Sequence, residues 1–386
     1  MSQTTTTTTT VRELLPEDVV EDILGHLPVK SSTRFRGVSK SCDSIITDTT
    51  FITRHFKLNL NQSESLISTN THSGYLLYTT KDENSSPSSK QLCTAVCNND
   101  RTLTQVSSFE IPAFFDECKI IGFCNGLLCL ASDEKELCHI IYLWNPSIRM
   151  FKKLLATPLT DEDTISVIGL AYNSQNNDFK ILRLLSVFLG TEAEAEIYSL
   201  STDSWRKVVI SMEILGGYEP NFGTIDIYPP CIFFNGALHS VAASSHHVFI
   251  LSFNVNDESF REIKWPPTFL YCVPGYFTEL ALFKGSLAVF IYGNNHQGVL
   301  CHIWVMEEYG VAESWTRKYM VQMDWFWDGH FFGFADNGEL LIKNALGLVS
   351  IDLESQNRNI LAIEGADWVG STTNSMESLI LLDGGK

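Results

Sequence analysis

Apolar and polar positions along the chain change rhythm once, near residue 60. Before it the period is helical. Val20, Ile23, Leu24 and Leu27 stand at i, i+3, i+4 and i+7, one apolar stripe of a short helix. Pro16 falls where a first helical residue tolerates proline, and Glu17, Asp18, Glu21 and Asp22 favour the positive N-terminal end. Gly25 and Pro28 then stop the helix. Phe35, Val38, Cys42, Ile45 and Ile46 make a second stripe, accompanied by Arg34, Arg36 and Lys40. Residues 50–56 add a last helical turn or two, and Asn59-Leu60-Asn61-Gln62-Ser63 reads as a linker. The expected divisions are a Thr-rich tail over 1–10, a helical module over 11–58, a linker over 59–64 and a large domain over 65–386. A few short helices in about 40 residues bury little core alone, so this much apolar surface calls for a partner. An ordinary helical hairpin capping the next domain is the alternative.

Beyond the linker, short runs of Val, Ile, Leu, Phe and Tyr alternate with Gly, Asn, Asp, Pro and Ser, the chemistry of strands and turns. The runs repeat. A small turn feeding an apolar strand recurs at Ser73-Gly74, Asn125-Gly126, Asn235-Gly236, Lys284-Gly285 and Asn337-Gly338, with glycine gaps of 52, 110, 49 and 53. Asn177-Asp178 stands near the middle of the long gap, without a glycine. A second landmark, an aromatic with basic company after a polar turn, recurs at Phe151, Trp205, Phe260 and Trp315, spaced 54, 55 and 55. Two landmarks sharing one period, with several strands to each unit, predict propeller blades stacked by their apolar faces. Over 65–386 that period makes six. The fold class expected is therefore α+β multidomain: a small all-α module, then an all-β domain read as a six-bladed kelch-like propeller. A β-sandwich with coincident turns is the competing reading. Ser378-Leu379-Ile380-Leu381-Leu382 is expected to close the ring beside Tyr75-Leu76-Leu77-Tyr78.

Both parts resemble known families. Leu15-Pro16, Ile23-Leu24, Leu27-Pro28-Val29-Lys30-Ser31, Arg34-Phe35-Arg36, Val38-Ser39-Lys40-Ser41 and Ile45-Ile46 follow the order and spacing of the F-box. The family usually has Trp after Lys-Ser; here the residue is Cys42. Gly122–Cys129, Leu143–Arg149, Tyr198–Arg206, Asn235–His239 and Ile303–Met306 resemble the plant F-box-associated interaction domain, in the style of S-locus F-box proteins and their pathogen-response relatives. The resemblance implies the substrate-recognition subunit of a Skp–cullin–F-box ubiquitin ligase. Leu15, Pro16, Val20, Ile23, Leu24, Leu27, Pro28, Val29, Phe35, Val38, Lys40, Cys42, Ile45 and Ile46 would dock a Skp-type adaptor, and through it a cullin. The second domain would hold a protein client for ubiquitination and proteasomal degradation, in self-incompatibility or defence. Two rivals stay open: a kelch-like propeller enzyme, and an F-box assembly factor that degrades nothing.

Charge sharpens the partner. The chain carries −18 at neutral pH, and residues 12–56 hold seven acidic and six basic side chains, so −17 lies elsewhere. That argues against nucleic acid or an anionic membrane and leaves two readings, a solvated acidic surface that keeps the protein soluble or a basic client, of which an S-ribonuclease-like protein is one instance. Seven threonines after Met1-Ser2-Gln3 are no signal peptide, no apolar run is long enough to span a bilayer, and ten scattered cysteines include no Cys-x-x-Cys pair. A cytoplasmic or nuclear protein with reduced thiols is expected.

Candidate chemistry is thin. His246-His247 are neighbours and would point to opposite faces of a strand, so they cannot chelate together. His239 follows an apolar run and reads as a structural histidine. Asp161-Glu162-Asp163 and Glu192, Glu194 and Glu196 read as a solvated acidic face. Neither a cofactor nor a metal nor a catalytic residue is expected, and the client-facing residues are unknown.

Overall fold

A computed structural model of the chain describes residues 15–68, 75–82, 89–97, 103–112, 115, 118–132, 140–154, 157, 166–185, 194–210, 225–244, 247–268, 276–295, 298–323, 327–344, 347–361, 363, 366, 368–372 and 377–380. Among the described residues four helices come first: α1 (Glu17–Gly25), α2 (Val29–Phe35), α3 (Lys40–Thr47) and α4 (Thr49–Ser68). Prolines precede α1 and α2, where no backbone donor is lost. The Ser39 hydroxyl caps α3 by accepting from the Cys42 amide at 3.1 Å. Asp48 caps α4, its carboxylate accepting from the Thr50 and Phe51 amides at 2.8 and 3.2 Å. The Thr50 hydroxyl bond, followed by these amides, holds that carboxyl below its usual range. The stretch read as a linker over 59–64 is a correction: α4 runs unbroken through it. Without Gly or Pro, its amide-rich composition does not stop a helix that is already nucleated.

Among the described residues twenty-four strands follow, in six four-stranded antiparallel sheets. The first sheet begins with β1 (Tyr75–Asp82), β2 (Ser89–Cys97) and β3 (Leu103–Glu110); the second is β4 (Cys118–Cys124), β5 (Leu127–Ser132), β6 (Ile141–Asn145) and β7 (Met150–Leu154). The third is β8 (Ser166–Asn173), β9 (Asp178–Leu185), β10 (Glu194–Ser199) and β11 (Ser204–Val209); the fourth is β12 (Asp226–Phe234), β13 (Ala237–Ala243), β14 (Val248–Asn254) and β15 (Phe260–Lys264). The fifth is β16 (Tyr276–Phe283), β17 (Ser286–Asn295), β18 (Gly298–Met306) and β19 (Trp315–Met323); the sixth is β20 (Trp327–Phe334), β21 (Leu340–Asn344), β22 (Gly347–Ile351) and β23 (Arg358–Ile360). A last strand, β24 (Val369–Thr372), returns to the first sheet and pairs with β1, Leu77 opposite Gly370. Six blades thus close into a propeller, as the repeat predicted.

Both landmarks have physical causes. Asn125-Gly126, Asn235-Gly236 and Lys284-Gly285 carry positive φ at both positions, which the tight first-to-second hairpins of the second, fourth and fifth blades require. Asn177, at φ 53°, turns the third blade without a glycine. Phe151, Trp205, Phe260 and Trp315 each lie on a fourth strand, opposite Trp144, Tyr198, Phe253 and Met306. Each packs into the apolar cluster shared with the preceding blade. Trp315 adds a bond across that seam, its indole donating to the Lys264 carbonyl at 2.9 Å.

The closing strand corrects another expectation. Ser378–Ile380 is no part of the ring; Val369–Thr372 fills that place. Buried Glu196 corrects a third: opposite Arg183 on β9, it forms an ion pair whose guanidinium lies over Trp205 at 5.2 Å. Arg183 Nη2 also donates to the Thr157 hydroxyl at 2.5 Å. Asp161–Asp163, Glu192, His246, Gly74 and the tail over 1–10 lie outside the described residues. His239 is buried, bonded to the Tyr309 hydroxyl at 2.7 Å, and burial pushes its pKa down to about 4.

Candidate functional site

The helical module has an inner and an outer side. Leu24, Val29, Ile46, Phe51 and Ile52 form its small core, with Val20, Leu27, Cys42 and Ile45 half-buried against it. The sixth buried member is Leu379, from the segment beyond β24. Glu377 Oε2 accepts from the Val29 amide at 3.0 Å, at the positive start of α2. The Asn145 side chain, at the end of β6 where the β6–β7 turn begins, donates to the carbonyls of Ser378 and Ile380 at 3.1 and 3.0 Å. Ile148 of the same turn packs on the module core, and Phe56 of α4 meets Tyr172 of β8 edge-on, centroids 5.4 Å apart. The module therefore rests on the end of the propeller where first-to-second and third-to-fourth turns emerge, clasped there by residues 377–380.

Its outer side is apolar. Leu15, Val19, Ile23, Phe35 and Val38 are exposed, five of the eleven large hydrophobic side chains so placed among the described residues. That share, on about an eighth of the chain, marks an interaction surface rather than scatter.

Residues 13–54 match the F-box domain family, and residues 52–378 match the F-box associated beta propeller domain family. The chain belongs to the F-box proteins. An F-box/kelch-repeat protein of Arabidopsis thaliana is 31% identical over 309 residues, 78% of either chain. The Arabidopsis F-box protein CPR1 is 24% identical over 95% of this chain and 89% of its own. Another Arabidopsis F-box protein is 26% identical over 86% and 83%.

Within this F-box protein the residues expected from sequence to dock an adaptor fall into three groups. Leu15, Pro16, Ile23, Pro28, Phe35, Val38 and Lys40 are exposed. Leu24, Val29 and Ile46 are buried in the module's own core, while Val20, Leu27, Cys42 and Ile45 lie between. The helical stripe thus faces two ways, and Val19, which pairs with Ile23 at i+4 on the outer face, escaped the sequence reading. A helix apolar on more than one side is the signal that finds it.

The propeller of this F-box protein also contains a cavity of about 620 Å³ along its axis. All six innermost strands or their flanks contribute to it, among them Phe123, Leu170, Phe233, Glu279, Phe331 and Trp368. Glu279 accepts from the Tyr292 hydroxyl at 3.1 Å. Burial pushes its carboxyl up to about 7 against that bond. No sequence motif announced this site. Its residues come from six blades, and only the blade period links them, Phe123 and Phe233 each standing three residues before the glycine of an Asn-Gly turn.

Proposed function

We propose that this F-box protein is the non-catalytic substrate receptor of a Skp–cullin–F-box ubiquitin ligase. The observation that carries the reading is the outer row Leu15, Val19, Ile23, Phe35 and Val38, left exposed while the opposite side of the same helices is clamped to the propeller. A Skp-type adaptor covering that row would link the chain to a cullin. The propeller would hold the client, so the contribution to ubiquitin transfer is proximity. Tyr228 and Phe277, exposed near the starts of β12 and β16, stand at the end of the propeller away from the F-box, and aromatic side chains there suit a client contact. The −17 outside the F-box favours a basic client face, which a basic ribonuclease of the S-locus type would offer. Such a receptor would work in the cytoplasm or nucleus.

The test is capture of adaptor and clients from plant tissue after proteasome inhibition, with Tyr228→Ala/Phe277→Ala beside the wild type. Loss of clients with the adaptor retained supports the receptor. A client whose half-life ignores deletion of the F-box makes the chain an assembly factor instead.

A further inference from the structure

The axial cavity is lined by more than packing requires. Its volume, about 620 Å³, falls within the roughly 300–1,000 Å³ typical of small-ligand sites. Phe123, Phe233, Phe331 and Trp368 contribute aromatic rings from four blades. Phe331 is fixed by stacking on Phe290 at 4.1 Å between centroids and 6° between planes. Phe290 stands opposite Glu279 in the β16–β17 register, and Tyr292, two residues on, both bonds Glu279 and stacks on Phe277. The carboxylate is thus walled by aromatic groups. Among the described residues no cation pairs with it.

A half-buried carboxylate without a counter-charge is costly, and aromatic faces attract cations. We propose that the cavity binds a cationic group, an alkylammonium or guanidinium, between the Glu279 carboxylate and the surrounding rings. The group would come from a free small amine or from a lysine or arginine side chain of a client; the second source rests on the receptor reading, the binding chemistry does not. Asp336, beyond β20, and Lys284, in the β16–β17 turn, also line the cavity. Burial raises the Asp336 carboxyl as well. The Cys124 and Cys231 thiols on its wall are pushed up to about 12 by burial and stay neutral. The Glu279 carboxyl, raised to about 7, changes charge near neutrality.

Calorimetric titration of the full chain with butylguanidinium, butylammonium, the neutral isostere butylurea and the peptide acetyl-Gly-Arg-Gly-amide tests this. The cations should bind saturably and at least ~10-fold tighter than butylurea. Because Glu279 must ionise, affinity should be ~10-fold higher at pH 8 than at pH 6. Glu279→Gln should lose both the preference and the pH dependence, and Glu279→Asp should fall between. Peptide binding comparable to butylguanidinium assigns the group to a protein side chain; small cations alone assign it to a free amine. Absence of saturable cation binding, equal binding of butylurea, or an unaltered Glu279→Gln overturns the proposal. None of these readouts needs the adaptor, so this proposal and the receptor reading fail separately.

Discussion

Leu379 is the residue by which the propeller's downstream segment enters the F-box core, and its removal is the sharpest perturbation of the clasp. It is 4% exposed, among Leu24, Val29, Ile46, Phe51 and Ile52. Leu→Ala in a packed core costs about 2.7–5 kcal/mol, the spread reflecting how far the site collapses. Leu379 sits at a junction between two units that can close up partly, so about 2–4 kcal/mol is expected for Leu379→Ala. A module of roughly 40 residues has little reserve to absorb that. The loss should be local. β24 ends at Thr372, so the ring stays closed. Hydrogen exchange followed by mass spectrometry reads both units in one experiment. Amides of α1 to α3 should exchange ~30-fold or more faster in Leu379→Ala, matching the lower end of that range. Those of β8, β9 and β17 should not change. A chain ending at residue 376, which also loses the Glu377 contact with Val29, should show a larger effect of the same pattern. Unchanged exchange in α1 to α3 would refute the idea that residues 377–380 complete the F-box. It would make the isolated helical module self-sufficient.

Two further outcomes follow from buried charge. Glu196→Ala strands the Arg183 guanidinium inside the third blade and should lower unfolding free energy by about 3–5 kcal/mol in denaturant titration, whereas Arg183→Met/Glu196→Leu should cost far less. Burial sets the folded pKa of Glu279 at about 7, above its ordinary value of 4.5. Its neutral form is therefore the favoured one in the fold, and the stability this confers is fully present below about 4.5 and lost as pH rises through 7. Glu279→Gln should match the wild type near pH 4.5 and exceed it by about 1–3 kcal/mol at pH 8. Equal melting curves at pH 8 would contradict that assignment.

The blade repeat was legible because its marks are local. Asn125-Gly126, Asn235-Gly236 and Lys284-Gly285 answer a backbone demand for positive φ, and such a demand writes itself into residue type. The fourth-strand aromatics were legible for a related reason, since each fills the same seam. Residues whose role depends on distant partners were not. Val369-Gly370-Ser371-Thr372 closes the ring through backbone pairing and carries no apolar run, so the more hydrophobic Ser378–Leu382 stretch drew the assignment. Leu379 spends that hydrophobicity on the F-box instead. Glu196 looks like one of several surface acids until the register sets it against Arg183. At the F-box the residue types pointed to the right stretch. Burial alone separates Ile23, facing out, from Leu24, facing in.

That separation makes Ile23→Asp the most direct test of the account. Ile23 is 50% exposed, so the substitution leaves the module's own core untouched. In an adaptor complex it would remove an apolar contact and bury an unpaired carboxylate, together about 3 kcal/mol or more, roughly a 100-fold loss in affinity. Binding of a purified plant Skp-type adaptor to the full chain, wild type against Ile23→Asp, should show that loss while the melting curves superimpose. An adaptor that binds both proteins equally well would contradict the assignment of this face as the route into the ligase.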